Sequence, residues 1–192
     1  MIPDDSLSAT LLDSAIPSER ALPQAGPYVE EVVGLFGSLR KPLLRYALTF
    51  GIVAGDVEEI VQETFLALFK HLKSGKSRQN LPGWVFRVCH NLAVKQAEKA
   101  RGERSLISSE APLLSQCTDS ALNPEQQMLQ AQRRARLQSV LRALPELDRC
   151  CVSLRAEGLR YREIAETLGV SLGTVSMSLT RSLAKFERAD RE

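Results

Sequence analysis

Aromatic side chains make up only 5% of the 192 residues, histidine occurs twice, and the four cysteines show no paired spacing. Each scarcity excludes something. His71 and His90, with Cys89, Cys117, Cys150 and Cys151, offer neither zinc-ligand intervals nor a disulfide framework, so no metal is expected. The adjacent Cys150 and Cys151 lie among apolar neighbours and are expected to pack as small hydrophobes. No apolar run approaches the roughly 20 residues of a membrane span, so direct membrane insertion is not expected. The first residues carry acid rather than base and no compact apolar stretch, which predicts no secretory signal and a cytoplasmic chain. A GxxxxGK[ST] phosphate loop is missing, and no Ser/His/Asp or paired-acid arrangement assembles. The chain is therefore read as a non-enzyme without cofactor or small-molecule substrate.

Charge is present but unevenly placed. The formal net charge is +2, yet residues 1–36 hold one base and six acids, and residues 76–105 hold seven bases and two acids. A concentrated basic stretch suits a polyanion, which the average charge would conceal.

Hydrophobic periodicity is helical throughout, and the expected fold is all-α: two small helical domains joined by a flexible linker. Residues 1–27, with four prolines and no sustained period, read as a flexible tail. From Tyr28 onward Val32, Val33, Leu35, Phe36, Leu39, Leu43, Leu44, Tyr46, Ala47 and Phe50 recur at three- and four-residue steps. After Gly51 and Gly55, Asp56 followed by Glu59 predicts a capping box opening a second helix. That helix buries Val57, Ile60, Val61, Phe65, Leu68 and Leu72, and turns Glu58, Glu59, Gln62 and Glu63 outward. "KSGKSRQN" (73–80) is a basic loop, and Pro82 suits the first turn of a third helix with Val85, Val88, Leu92 and Ala93 inward. Residues 28–101 form the first domain and 102–122, lacking periodicity, the linker. Asn123-Pro124 restarts a helix whose core positions include Met128, Ala131, Leu137 and Leu141, opening a second domain over 123–192.

Within that second domain, "YREIAETLGVSLGTVSMSLT" reads as two short helices around a turn at Gly169. Ser171 caps the second helix, and Ile164, Ala165, Leu168, Val175 and Leu179 face inward. This is a helix-turn-helix, whose second helix enters the major groove of DNA. From Leu172 to Thr180 that helix carries no charge.

The chain resembles the extracytoplasmic-function (group IV) sigma factors of bacterial RNA polymerase, and three segments carry the resemblance. "GDVEEIVQETFLALFKHL" resembles the family's polymerase-binding segment. "LPGWVFRVCHNLAVKQAEKAR" resembles its promoter-melting helix, and "LPELDRCCVSLRAEGLRYREIAETLGVSLGTV" its fourth conserved region. A helix-turn-helix alone is shared by many regulators, whereas these motifs in this order and spacing are specific. The resemblance implies that the protein binds core RNA polymerase, recognises −10 and −35 promoter elements, and melts the promoter without ATP. It implies an anti-sigma factor as a further partner.

Residues follow from that resemblance together with their chemistry. Asp56, Glu58, Glu59, Gln62 and Glu63 offer the polymerase an acidic, hydrogen-bonding face. Lys73, Lys76, Arg78, Arg87, Lys95 and Lys99 suit −10 phosphates, and Asn80 and Asn91 suit base edges. Trp84 either packs in the core, the reading favoured here, or lies beside an opened base. Arg162, Ser171, Thr174, Ser176, Met177, Ser178, Arg181 and Lys185 are expected at the −35 element. The family commonly has Lys and Arg where this chain has Ser176 and Ser178, so weaker phosphate contact and altered specificity are expected. Two other readings compete: a helix-turn-helix regulator that never joins polymerase, and a protein-interaction decoy with weakened DNA binding. The first leaves the acidic helix without a role; the second draws on the uncharged recognition helix.

Overall fold

A computed structural model describes residues 27–104 and 123–191. The described residues form seven α-helices and no strand, as the periodicity predicts. The first half holds α1 (Pro27–Leu48), α2 (Ala54–Lys73) and α3 (Leu81–Arg104). The second holds α4 (Pro124–Ala143), α5 (Glu146–Ala156), α6 (Tyr161–Leu168) and α7 (Leu172–Arg191). The expected tail, apart from residue 27, lies outside the described residues. So does the expected linker except at its start, where α3 runs on through residues 102–104.

In the first half, α2 is the central packing element. Val57, Ile60, Val61, Thr64, Phe65, Leu68 and Leu72 are buried at alternating three- and four-residue steps, the stripe that turns one helix face to a core. Leu43, Tyr46 and Ala47 of α1 meet it from one side, and Val85, Phe86, Cys89 and Ala93 of α3 from the other. Burying a side chain such as Leu68 contributes about 1.5–3 kcal/mol. Thr64 is tolerated in this core because its hydroxyl donates to the Ile60 carbonyl at 2.8 Å. Two residues expected inward on α1 stay open to solvent: Val33 is 63% exposed, and Phe36, whose ring meets Phe65 edge-on at 4.9 Å, is 40% exposed.

The predicted capping box at Asp56 does not form. The helix begins three residues earlier than expected, with Val53 in the N-cap position, and Asp56 lies in its first turn. Its carboxylate accepts from Gln96 Nε2 on α3 at 2.8 Å instead. A tertiary partner has taken the acceptor that local geometry would have used, and the negative charge still favours the helix N-terminus.

In the second half, α5, α6 and α7 surround Leu154, Leu159, Ile164, Val175 and Leu179. Gly169 at φ 66° turns the chain between α6 and α7, a left-handed conformation that glycine adopts without a Cβ clash. The core expected along α4 is only half correct. Leu137 and Leu141 are partly covered, but Met128 is 60% exposed and Ala131 is exposed as well. The middle of α4 is tied to α7 by the Arg133–Asp190 pair, and Leu137 and Leu141 line an open groove with Val152 and Phe186.

The halves pack on one another. Their buried residues form a single cluster, with α3 against α6 and α1 against α5. Arg45 holds Glu157 through two bonds of 2.8 and 2.5 Å. Arg101 reaches Glu146 at 3.0 Å and Arg87 reaches Glu166 at 3.7 Å.

Candidate nucleic-acid and protein interfaces

On α2, the residues expected to meet a protein partner do not share one environment. Glu59, Gln62 and Glu63 are exposed on the face opposite the buried stripe. Glu58 is held by Arg40 of α1 through both carboxylate oxygens, at 2.8 and 2.9 Å. Asp56 is committed to Gln96. An incoming cationic surface would therefore find Glu59, Gln62 and Glu63 free of internal work, and would have to displace partners at the other two positions.

The basic loop and α3 begin at Asn80. Its φ of 48° is left-handed, and its Oδ1 accepts the Gly83 N–H at 3.2 Å, which caps the helix. A Cβ on Gly83 would fall 2.4 Å from Asn80 Nδ2, so this cap requires glycine at 83. Asn80, expected to read base edges, thus spends its side-chain oxygen on the helix terminus. The ring of Trp84 lies 4.4 Å from that of His71, tilted by 39°, while its other side meets the core. That is the packing role favoured from sequence, with part of the indole exposed. His71 is fixed in turn by its Nε2, 2.8 Å from the Ser77 carbonyl oxygen.

Lys73, Lys76, Arg78, Arg87, Asn91, Lys95 and Lys99 are all exposed. Two of these cations are already paired: Arg78 with Glu31 at 3.5 Å and Arg87 with Glu166 at 3.7 Å. At these exposures such pairs contribute about 0–1 kcal/mol and yield readily to a phosphate. Lys95 and Lys99 share a groove of about 590 Å³ with Asp56, Glu59 and Glu63 across from them.

The helix-turn-helix is confirmed in its bounds and its cap. The Thr174 N–H donates to Ser171 Oγ at 3.1 Å, and the two hydroxyls lie 2.8 Å apart. Ser176 is exposed, Met177 is 64% exposed, and Arg162 and Lys185 are exposed too. Ser178 is not available to DNA. It is fully buried, and its hydroxyl donates to Asp148 Oδ1 of α5 at 2.7 Å. Arg181 donates to the same oxygen at 3.1 Å. The guanidinium expected on a phosphate is thus anchored from behind by a carboxylate that is 3% exposed, although the Arg181 side chain itself remains open to solvent.

Asp148 is the residue that the sequence reading missed. A signal existed: with Cys151 and Leu154 it recurs at three-residue steps on the buried face of α5. An acid on such a stripe implies buried donors opposite it.

A second missed cluster lies where the halves meet. The Tyr46 hydroxyl is 2.7 Å from His90 Nδ1. Burial holds the His90 imidazole below its usual pKa, against a weaker opposite pull from Glu146. It also holds the Tyr46 phenol well above the usual range. With a protonated phenol beside a neutral ring, the ring's tautomer sets which of the two atoms donates. Burial likewise pushes the Cys150 thiol up to about 11 and the Cys89 thiol to about 12, and raises Cys151. Thiols kept protonated are poor nucleophiles, in keeping with core packing for all three.

Comparison with known proteins places these surfaces in a family context. Residues 35–103 match the family sigma-70 region 2, and residues 134–186 match sigma-70 region 4. The ECF RNA polymerase sigma-E factor of Escherichia coli K12 is 30% identical over 138 residues, 68% of this chain and 72% of that protein. The ECF RNA polymerase sigma factor SigE of Mycolicibacterium smegmatis is 35% identical over 131 residues, 66% of this chain and 48% of that protein. Among solved structures, the sigma factor RpoE in complex with the anti-sigma factor NepR, from Bartonella quintana, aligns with a TM-score of 0.65. It is 19% identical and covers 83% of this chain and 96% of its own. CnrH in complex with the cytosolic domain of CnrY aligns with a TM-score of 0.57 at 24% identity, covering 83% and 86%.

Proposed function

Because this chain belongs to the extracytoplasmic-function sigma factors, a family that binds RNA polymerase and recognises promoters, we propose a division of labour among its helices. Residues 28–101 act as the polymerase- and −10-binding domain, and 123–192 as the −35-binding domain, with 102–122 between them. Glu59, Gln62 and Glu63 of α2 make the principal polymerase contact, flanked by Asp56 and Glu58. Lys73, Lys76, Arg78, Arg87, Lys95 and Lys99 hold −10 phosphates, and Asn91, with the exposed edge of Trp84, meets unstacked bases. Ser171, Thr174, Ser176 and Met177 face the −35 groove, with Arg162, Arg181 and Lys185 at its rim.

The observation that carries this reading is the exposure of both charged faces on packed helices. Glu59, Gln62 and Glu63 lie opposite a fully buried stripe, while Lys95 and Lys99 project from the neighbouring helix. Charged side chains of both signs held by rigid elements suit two different macromolecules at once. Promoter opening then draws on binding energy alone, as base flipping does, and the protein performs no chemical step itself. No helix among the described residues is long and apolar enough to cross a membrane, which supports a cytoplasmic site of action. The solved relatives were caught with an anti-sigma factor or a cytosolic partner domain. An anti-sigma partner is proposed for this chain by that analogy.

Run-off transcription with purified core polymerase tests the reading. The wild-type chain should direct initiation at defined start sites on genomic fragments. The double variant Glu59→Lys/Glu63→Lys, folded by circular dichroism, should lose both transcription and co-purification with core polymerase by tenfold or more. Wild-type levels of both in that variant would overturn the assignment of α2. The decoy reading retains one supporting observation, the uncharged start of α7, and predicts no defined start sites for the wild type.

A further inference from the structure

The outward face of α7 carries little that can hydrogen-bond. At about 100° per residue, Gly173, Met177 and Thr180 stand opposite the buried Val175, Ser178, Leu179 and Ser182. The hydroxyls around them are committed elsewhere. Ser171 and Thr174 lie 2.8 Å apart in the cap, and Ser178 donates to Asp148. Thr180 donates to the Ser176 carbonyl at 2.9 Å. That leaves the exposed Ser176 hydroxyl to one side of the outward line. Met177, 64% exposed, is the largest side chain on that line. A helical side chain leans toward the helix N-terminus, so Met177 covers the turn of Gly173. A Cβ on Gly173 would meet only Ser171 Oγ, at an ordinary 3.7 Å. Packing does not demand this glycine, and its bareness leaves the thioether unshielded.

The next step rests on the reading of α7 as the helix that faces the −35 groove. We propose that Met177 selects thymine there, its thioether seated against the C5 methyl groups of the −35 element. In the major groove the thymine methyl is the apolar group, whereas the other bases present donors and acceptors. A thioether donates no hydrogen bond and accepts only weakly. Pressed on a polar base edge, it strips water from that edge and replaces nothing. Against a methyl it buries apolar surface instead. Discrimination thus comes from both sides, a gain at thymine and a cost at the other bases. Arg162, Arg181 and Lys185 are exposed on the same motif. Their charge suits phosphates, which position a duplex without reading it, and it favours DNA over another protein as the occupant of this face. Sequence choice then falls to the apolar centre between them.

The probe is a pool of duplexes with a randomised centre. It is selected on the full-length protein mixed with core polymerase, and counter-selected on core polymerase alone. Each thymine of the enriched sequence is then replaced in turn by deoxyuridine, which lacks only the methyl. At one or more positions the replacement should weaken binding about three- to fourfold, the loss of one buried methyl. Met177→Ala should bind the paired duplexes equally, and Met177→Leu, still apolar, should keep the discrimination. The side chain is exposed, so neither change removes core packing, and unchanged thermal transitions check that. Wild-type indifference to every methyl, or discrimination that survives in Met177→Ala, overturns thymine selection and leaves α7 as the −35 helix. Should that surviving discrimination come with poorer capture by core polymerase, the thioether belongs to a protein contact instead. If no sequence is enriched at all, the −35 reading itself falls, and thymine selection with it.

Discussion

The two halves of this protein place their polar residues in opposite ways. In α2 and α3 the charged side chains stand outside an apolar stripe, and Glu59, Glu63, Lys95 and Lys99 are exposed. In α5 and α7 the polar residues turn inward, so that Asp148, Ser178 and Ser182 are buried. Arg181 bridges the two conditions, with its head group on Asp148 and its side chain 60% exposed. The first arrangement leaves charge free for partners. The second uses charge to set the recognition helix on its support, and leaves Ser176 and Met177 as the outward groups of its early turns. A hydroxyl or carboxylate in a DNA-binding helix is thus no evidence of a DNA contact until its facing is known.

The sharpest way to break this comparison is to remove Asp148. Its carboxylate accepts from both Ser178 and Arg181, and truncation would strand a buried hydroxyl without an acceptor. Asp148→Ala should destabilise the chain by about 2–3 kcal/mol, measured by urea unfolding. Ser178→Ala, which removes one neutral donor, should cost about 1 kcal/mol. Equal and negligible effects for the two variants would mean that the second half does not depend on its inward polar groups.

A smaller effect is expected from His90, where the halves meet. Its pKa is lowered from 6.5 by burial, so the folded state favours the neutral ring. The group's full contribution to stability is present above about pH 6.5 and is lost as the pH falls through the depressed folded value, because the unfolded chain binds the proton more readily. The groups facing the ring are Tyr46 of α1 and Glu146 and Cys150 of α5. Glu146 opposes the shift, as the smaller of the two effects. Thermal unfolding at pH 7.5 and 5.5 should show a lower transition at the acid pH, and His90→Gln should flatten the difference. The same pH dependence in that variant would move its cause elsewhere.

Much of the first half was legible because its signals are local. The three- and four-residue steps of α2 specify its buried stripe, and the opposite face follows by elimination. Asp56 was misread as a cap because its actual partner, Gln96, lies forty residues away and no local pattern announces it. The contacts between the halves were hidden for the same reason. Arg45 and Glu157, 112 residues apart, are two unremarkable surface charges in the sequence. Ser178 is the instructive error. Val175, Ser178, Leu179 and Ser182 follow the same spacing as any apolar stripe, so its burial was readable. The family's usual arginine at that position suggested an outward role that this chain's own periodicity contradicts. Met128 failed in the other direction, since helical spacing supplies a stripe on α4 but not an element to cover it.

Salt-dependent binding of the full-length protein to duplex DNA tests the difference in facing most directly, through the neighbouring positions 176 and 178. Ser176→Lys should add one phosphate contact and steepen the log–log slope by about 0.9, because Ser176 is exposed on α7. Ser178→Ala should leave duplex affinity unchanged, because that hydroxyl is spent on Asp148. An unchanged slope in Ser176→Lys, together with weakened binding in Ser178→Ala, would contradict this account and put the DNA-facing side of the recognition helix where its core is described.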